Sequence, residues 1–377
     1  MPNSLYRLIA SLLAASAVAC NSTTETPADA GLDATATDLG VPCEADEICA
    51  DDDPCTVEAC REGHCVTERS PRAELVVGPA IPVGGGATAI ALADNELYIA
   101  KGADGLEIWD VALDPPMLRL ARQREGEEGP VVALAVAGDR IVLGEEGAAV
   151  RALDRASGAP VGVAYHAGDD VRALSFEGGR VFVAAYAKGV EVLQPGDWSN
   201  PQRTARVDTP GRAVGLAREG SLIAVADGLG GLALIDLPEG GTPALRRDQT
   251  TATAGRVDSV ALRGGQVLLA EQVAGLGLVT LAAGSPERQA TFLLDGAVQA
   301  VALLDPHTGV AVGPGGVQVL DLLAPLQTTT WFAVEAPDAW AVHAQGLRFA
   351  VATAEAVQVM ELKCPEAEEA VPDAGVP

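Results

Sequence analysis

Between Ala73 and Cys364 a unit of about 42 residues recurs seven times. Its apolar anchors are Ile90, Leu134, Leu174, Leu216, Val260, Val301 and Val342, set 40 to 44 residues apart. A period of roughly 20–50 residues marks an architecture in which each unit buries its apolar face only against its neighbours. Around each anchor lies a short β-forming run, such as ATAIAL, VRALSF or VDSVAL. A turn leads to a second run (ELYIA, RVFVA, QVLLA), and a Gly/Ala-rich loop to a third (GLEIWDV, GVEVLQP, GLGLVTL). A Pro-containing turn then opens a more polar fourth run, as in PPMLRLARQ and PERQATFLL. The runs are too short for helices and are bounded by Gly, Asp and Pro, so they are predicted strands. Polar alternation in the fourth suits an outer edge facing water. The pattern predicts an all-β fold, a seven-bladed β-propeller of four-stranded antiparallel blades.

Small residues recur at two places. The second run closes on Ala100, Gly144, Ala184, Ala226, Ala270, Gly313 and Ala352. The third opens on Gly105, Ala149, Gly189, Gly231, Gly275, Gly316 and Ala356. Crowding of blade backbones near the axis is the expected reason. The seventh unit stops at Cys364 after its third strand, while AELVVGPAIPV (73–83) stands before the first. Donating that stretch to the last blade would close the ring and leave no open edge.

The front of the chain is different. Met1 to Arg7 carry one positive charge, and Leu8 to Ala19 form an apolar run too short to span a bilayer. The run ends Ala17-Val18-Ala19-Cys20, which resembles the bacterial lipobox. That resemblance implies a lipoprotein signal over residues 1–19, lipid on Cys20, and a stable multiply acylated anchor. The alternative is a plain secretory signal cut near Ala19. Residues 20–42, rich in Thr, Ala, Asp, Gly and Pro, are expected to be a flexible tether with a reach on the order of 25 Å.

Cys43, Cys49, Cys55, Cys60 and Cys65 fall in a short module, residues 43–72. Dense cysteine in an exported chain means disulfides. The sixth partner is Cys364, and six cysteines allow fifteen pairings. Ring closure brings the ends together, so a bond from this small disulfide-rich module to Cys364 is expected. The chain-entropy estimate for so long a loop is on the order of 5 kcal/mol as an upper value. Asp51, Asp52 and Asp53 could ligate Ca²⁺, but a solvated acidic turn is the expected reading. Residues 365–377 are expected to be a disordered acidic tail.

The third run and turn, seen best in GLEIWDVALDPP and GLALIDLPEGGTP, resemble the LVIVP repeat of bacterial and archaeal surface proteins. AVRALDRASGAP and GVEVLQPGDWSNP match partly, and GLGLVTLAAGSP lacks the Asp. The resemblance implies an extracytoplasmic propeller used in binding or display, and it supplies no catalytic residues. On the resemblance to these repeats alone, a lipid anchor in the outer membrane facing outward is expected, with the periplasmic side the alternative.

A net charge of −27 repels phosphate backbones and anionic headgroups, so nucleic acid is not an expected partner and the membrane is met through lipid alone. No GxSxG, HExxH or phosphate-cradling loop occurs, and no catalytic or metal-ligand set is assigned. Among His64, His166, His307 and His343, only His343 takes a near-axis place otherwise held by Ala or Ser. Loops converge where inner strands enter the channel, which makes its mouth the candidate ligand site. Asp170, Arg172, Arg212, Arg256, Asp258, Gln299, Asp338 and Trp340 fall there by position in the repeat. Arg and Trp anchor recognition of anionic or planar groups. The plain alternative is that these charges pair among themselves at a solvated rim. The expectation is a monomeric, non-enzymatic binder of a protein or glycan. Two other readings stand beside it: a lactonase- or glycosidase-type propeller with a channel Ca²⁺, and a structural part of an envelope complex.

Overall fold

The computed structural model describes residues 37–46, 49, 55–84, 86–126, 128–238, 241–246, 253–282, 285–294, 296–323 and 329–364. The predicted signal, Cys20, residues 20–36 of the tether, Asp51 to Asp53 and the tail lie outside these. The described chain is all strand and turn, and seven four-stranded antiparallel sheets form a ring. Blade 1 runs Ala89–Ala93, Glu96–Ala100, Leu106–Asp110 and Met117–Arg122 from the axis outward. Blades 2 to 6 repeat this order, with inner strands Val131–Ala137, Ala173–Glu177, Gly215–Glu219, Ser259–Arg263 and Ala300–Asp305. Every anchor residue lies on an inner strand.

Blade 7 takes Ala341–Gln345, Arg348–Ala352 and Ala356–Lys363 from the end of the chain and Glu74–Pro82 from the beginning. The donated strand pairs antiparallel, from Glu74 opposite Lys363 to Pro82 opposite Ala356. Only Leu75, Gly78 and Ile81 are turned away from solvent, and the ladder to Ala356–Lys363 carries an irregularity between Gln358 and Met360, as fits an outer edge strand.

Seven apolar clusters fill the seven seams between neighbouring blades. Val, Leu, Ile and Ala dominate them because each seam is two flat sheets face to face, which branched aliphatics fill without large rings. Tyr98, Phe182, Trp198 and Phe349 are the large exceptions, all fully buried.

The repeated small residues are required by two different contacts, and axial crowding is only part of the reason. A Cβ on Gly313, closing a second strand, would sit 2.2 Å from the Ala297 carbonyl oxygen at the entry to its own blade. A Cβ on Gly275, opening a third strand, would sit 2.1 Å from the Phe292 carbonyl of the fourth strand. Gly275 also adopts φ 94°, a left-handed conformation that costs other residues energy.

The cysteine module is a three-stranded sheet, with Thr37–Pro42 and Thr56–Arg61 on either side of His64–Arg69. Thr37–Pro42 falls inside the expected tether. It orders by adding to the free edge of His64–Arg69, which offers backbone groups that sequence composition does not reveal. Disulfides join Cys43 to Cys60, Cys49 to Cys65 and Cys55 to Cys364. The third binds the module to the end of blade 7, and Cys55 is buried in the seam between blades 6 and 7. Arg69 adds a polar tie: its Nε donates to Asp321 at 2.8 Å, and its guanidinium lies 4.8 Å from the Trp331 ring centroid.

Candidate functional site

Acidic residues hold the loops around the channel mouth. After the closing small residue, blades 2, 4 and 5 carry Glu145, Asp227 and Glu271, all buried. Each accepts a backbone N–H from the connector entering the same blade's inner strand: Gly129 to Glu145 at 3.0 Å, Gly211 to Asp227, and Ala254 to Glu271 at 2.8 Å. In blade 3 the fully buried Glu191 does the same for Gly168. Arg151, Arg203 and Arg288 neutralise Glu145, Glu191 and Glu271. Unpaired buried carboxylates would be costly, so each loop is pinned where its arginine is. Asp227 instead relies on Thr209, whose hydroxyl donates at 2.5 Å, and on the Gly211 amide. Burial raises its carboxyl above the usual value, and those hydrogen bonds offset only part of the rise. Part of the chain's acidity is therefore structural, beyond the solubility that a large net charge provides. The signal was present in the sequence: an acid immediately after the small residue in three repeats.

Between blades, four isolated bridges carry the ring across the same face: Gly102 to Val131, Tyr186 to Ala213, Gly228 to Val257 and Gln272 to Val298. The first residue of each has positive φ, at 54°, 39°, 59° and 55°. Glycine fits this conformation in two of them. Tyr186 and Gln272 adopt it at a cost on the order of 1 kcal/mol or more. Both strained residues aim side chains into the predicted arc. Tyr186 stands between two of the predicted arginines, its ring centroid 4.6 Å from Arg172 Cζ and 5.0 Å from Arg212 Cζ. Arg212 Nη1 also donates to the Tyr186 hydroxyl at 2.9 Å. Gln272 donates to Asp258.

The predicted charges partly pair, as the plain alternative held. Arg172 bonds Asp170 at 3.0 Å, and Arg256 Nε bonds Asp258 at 2.6 Å. Arg212 has no carboxylate partner among the described residues and is exposed. Asp338 is exposed on the connector into blade 7, with φ 59°.

Below the rim the channel opens into a cavity of about 520 Å³ walled by blades 3 to 7. Asp258, Gln299 and Trp340 line it; Asp170, Arg172, Arg212, Arg256 and Asp338 do not. The eight predicted residues thus divide into a rim and a channel wall. His343, Ser259 and Arg218 also line the cavity. His343 Nδ1 accepts the Leu92 amide of blade 1 at 3.1 Å, and burial pushes the imidazole down to about 4, so the ring is neutral at pH 7. Arg218 reaches away from the axis to Glu177 and over the Phe182 ring, its Cζ 5.1 Å from the centroid.

Among the described residues, Cys43, Cys49 and Cys65 are the one group of three or more His, Cys, Asp or Glu with ligand atoms within 4.8 Å of one another. All three are in disulfides, which removes the thiolates a metal would need. Asp170 and Asp258, two of the three acids at the mouth, are matched by guanidinium groups.

The fold and this layout define a seven-bladed propeller with a cross-braced mouth above a partly apolar channel. A solved structure similar to it is that of the computationally designed Ika8 protein. The TM-score is 0.54 at 16% identity, covering 74% of this chain and 97% of that one, a likeness of fold alone. No protein-family model matches the chain, and no curated protein does.

Proposed function

We propose that this chain is a lipid-anchored, non-enzymatic propeller of the bacterial cell envelope that binds a protein or glycan partner at its channel mouth. The observation that carries the binding part is the strained pair Tyr186 and Gln272. Where the bridges from blades 1 and 4 use glycine, these two hold a left-handed backbone and organise Arg172, Arg212 and Asp258 on one arc. Strain of that kind persists where the surrounding structure enforces it, often at recognition sites. Arginine and tyrosine together are the side chains that anchor interfaces.

The anchoring part rests on the lipobox-like Ala17-Val18-Ala19-Cys20, on three disulfides suited to an oxidising compartment, and on the LVIVP-like repeats. The outer membrane, facing outward, is the location the repeat resemblance alone favours. Chemical crosslinking on intact cells, followed by purification and identification of the captured species, tests the binding part. One defined partner should be captured by the wild type and lost in the folded double variant Arg172→Ala, Arg212→Ala; equal capture by both removes the mouth from consideration. Radiolabelled palmitate tests the anchor: label should enter the wild type and not Cys20→Ser.

A further inference from the structure

The channel wall below the rim has a chemistry of its own. Four polar groups from blades 5, 6 and 7 meet in the cavity: Asp258, Ser259, Gln299 and His343. Each has hydrogen-bonding capacity left after its protein contacts. Asp258 accepts from Arg256 and Gln272, which neutralises its charge but leaves lone pairs on both oxygens. Ser259 Oγ accepts the Val301 amide at 3.3 Å, so its O–H is free to donate. Gln299 spends its backbone N–H on the Val312 carbonyl at 2.9 Å, and among the described residues its side-chain amide meets no partner. With Nδ1 of His343 occupied by Leu92, the neutral ring carries its proton on Nε2.

Beside them stands Trp340. Its indole N–H reaches the Thr353 carbonyl at 3.4 Å and its ring packs on the apolar cluster between blades 7 and 1, which fixes its orientation. Trp340 is also part of the cavity lining, and an indole face is an apolar surface with negative π density, suited to the C–H bonds of a saturated ring. The wall therefore offers donors and acceptors in close alternation, one aromatic platform, and no uncompensated charge. The cavity volume lies within the range of small-ligand pockets, roughly 300–1,000 Å³.

We propose that the channel cavity takes the end of an uncharged saccharide, stacked on Trp340 and hydrogen-bonded by Gln299, Asp258, Ser259 and His343. Densely spaced hydroxyls match alternating donors and acceptors, and the sugar's axial C–H face matches the indole. A carboxylate or sulfate would find no uncompensated cation on this wall and would meet the field of a chain with net charge −27. This rests on the binding reading above and narrows its ligand to a glycan.

The test uses the full-length protein in detergent on an array of two kinds of oligosaccharide. One kind is neutral, built from glucose, galactose, mannose and N-acetylglucosamine; the other bears uronate or sulfate. Binding to at least one neutral glycan is expected, weakened tenfold or more in both Gln299→Ala and Trp340→Ala and largely kept in Trp340→Phe. If Trp340→Ala melts early, Gln299→Ala decides alone. A silent array, binding of acidic glycans only, or full affinity in Gln299→Ala overturns the proposal. A silent array beside a partner still captured at Arg172 and Arg212 would remove the saccharide and leave the rim reading standing.

Discussion

The ring is held in two different ways on its two sides. From blade 2 to blade 5 the chain is continuous, and each connector is pinned by a buried carboxylate. From blade 6 through blade 7 to blade 1 the ring must be closed between distant parts of the chain. There the protein uses a donated strand, a disulfide and a half-buried histidine that accepts from the neighbouring blade. A continuous seam needs only local orientation, which a hydrogen bond to a charged group supplies. A closing seam must also overcome the entropy of joining the ends, and a covalent link acts on that term directly.

The largest effect should come from cutting the closure. Cys55→Ser with Cys364→Ser opens a loop spanning 309 residues, worth up to about 5 kcal/mol in the chain-entropy model. Cys43→Ser with Cys60→Ser opens one spanning 17, worth about 3 kcal/mol by the same estimate. Denaturant unfolding without reductant would rank the two pairs, and equal losses would end the claim that closure is special.

Next comes a latch on the continuous side. Glu271→Ala leaves Arg288 without the carboxylate that binds two of its nitrogens, a loss of about 3–5 kcal/mol for a broken buried pair. Hydrogen exchange at Ala254 should quicken with it. A loss below 1 kcal/mol would show that the latch is decoration.

Acid should separate the two sides by pH. His343, held at about 4 by burial, gains its proton later than the unfolded chain does, whose histidine titrates near 6.5. Its contribution is whole above pH 6.5 and lost as pH falls from 6.5 towards 4, at most on the order of 3 kcal/mol. Glu128 behaves differently. Burial pushes its carboxyl up, but hydrogen bonds from Arg122 and the Glu125 amide, with the charges of Arg122 and Arg151, leave it below 4.5. Its stabilisation is complete above 4.5 and lost only as pH falls through that lowered value. The seam between blades 7 and 1 should therefore loosen first, near pH 5, read as exchange of the Leu92 amide. His343→Gln, which keeps an acceptor for Leu92, should abolish that early step.

The smallest effect is expected at the rim. Arg212→Ala removes an exposed side chain whose contacts are to Tyr186, and stability should change by no more than about 0.5 kcal/mol. A larger loss in urea unfolding would recast Arg212 as a structural brace.

Much of this was legible in the repeats. Period, strand order and the stray fourth strand follow from where apolar and turn residues fall, because a strand's burial pattern is local. The bond from the module to Cys364 was legible for the same reason, since a closed ring brings its ends together. Which module cysteine takes it, Cys55, was not, because pairing depends on three-dimensional separation. The repeat position named the eight candidate residues only as one set, and their division was hidden. Asp258, Gln299 and Trp340 enter the cavity while Arg172 and Arg212 flank Tyr186 outside it. Tyr186 and Gln272 escaped notice because their importance lies in a backbone sign that no residue type announces.

By itself the sequence determined the number of blades, the closure and the small residues at each turn, since these answer to periodicity and backbone sterics. Only the tertiary structure decided which charges are buried, that Arg212 at the rim has no carboxylate partner among the described residues, and which polar groups share one cavity. The buried pairs form between strands and connectors of one blade and the cavity groups come from three blades, so both depend on distances that no local pattern encodes.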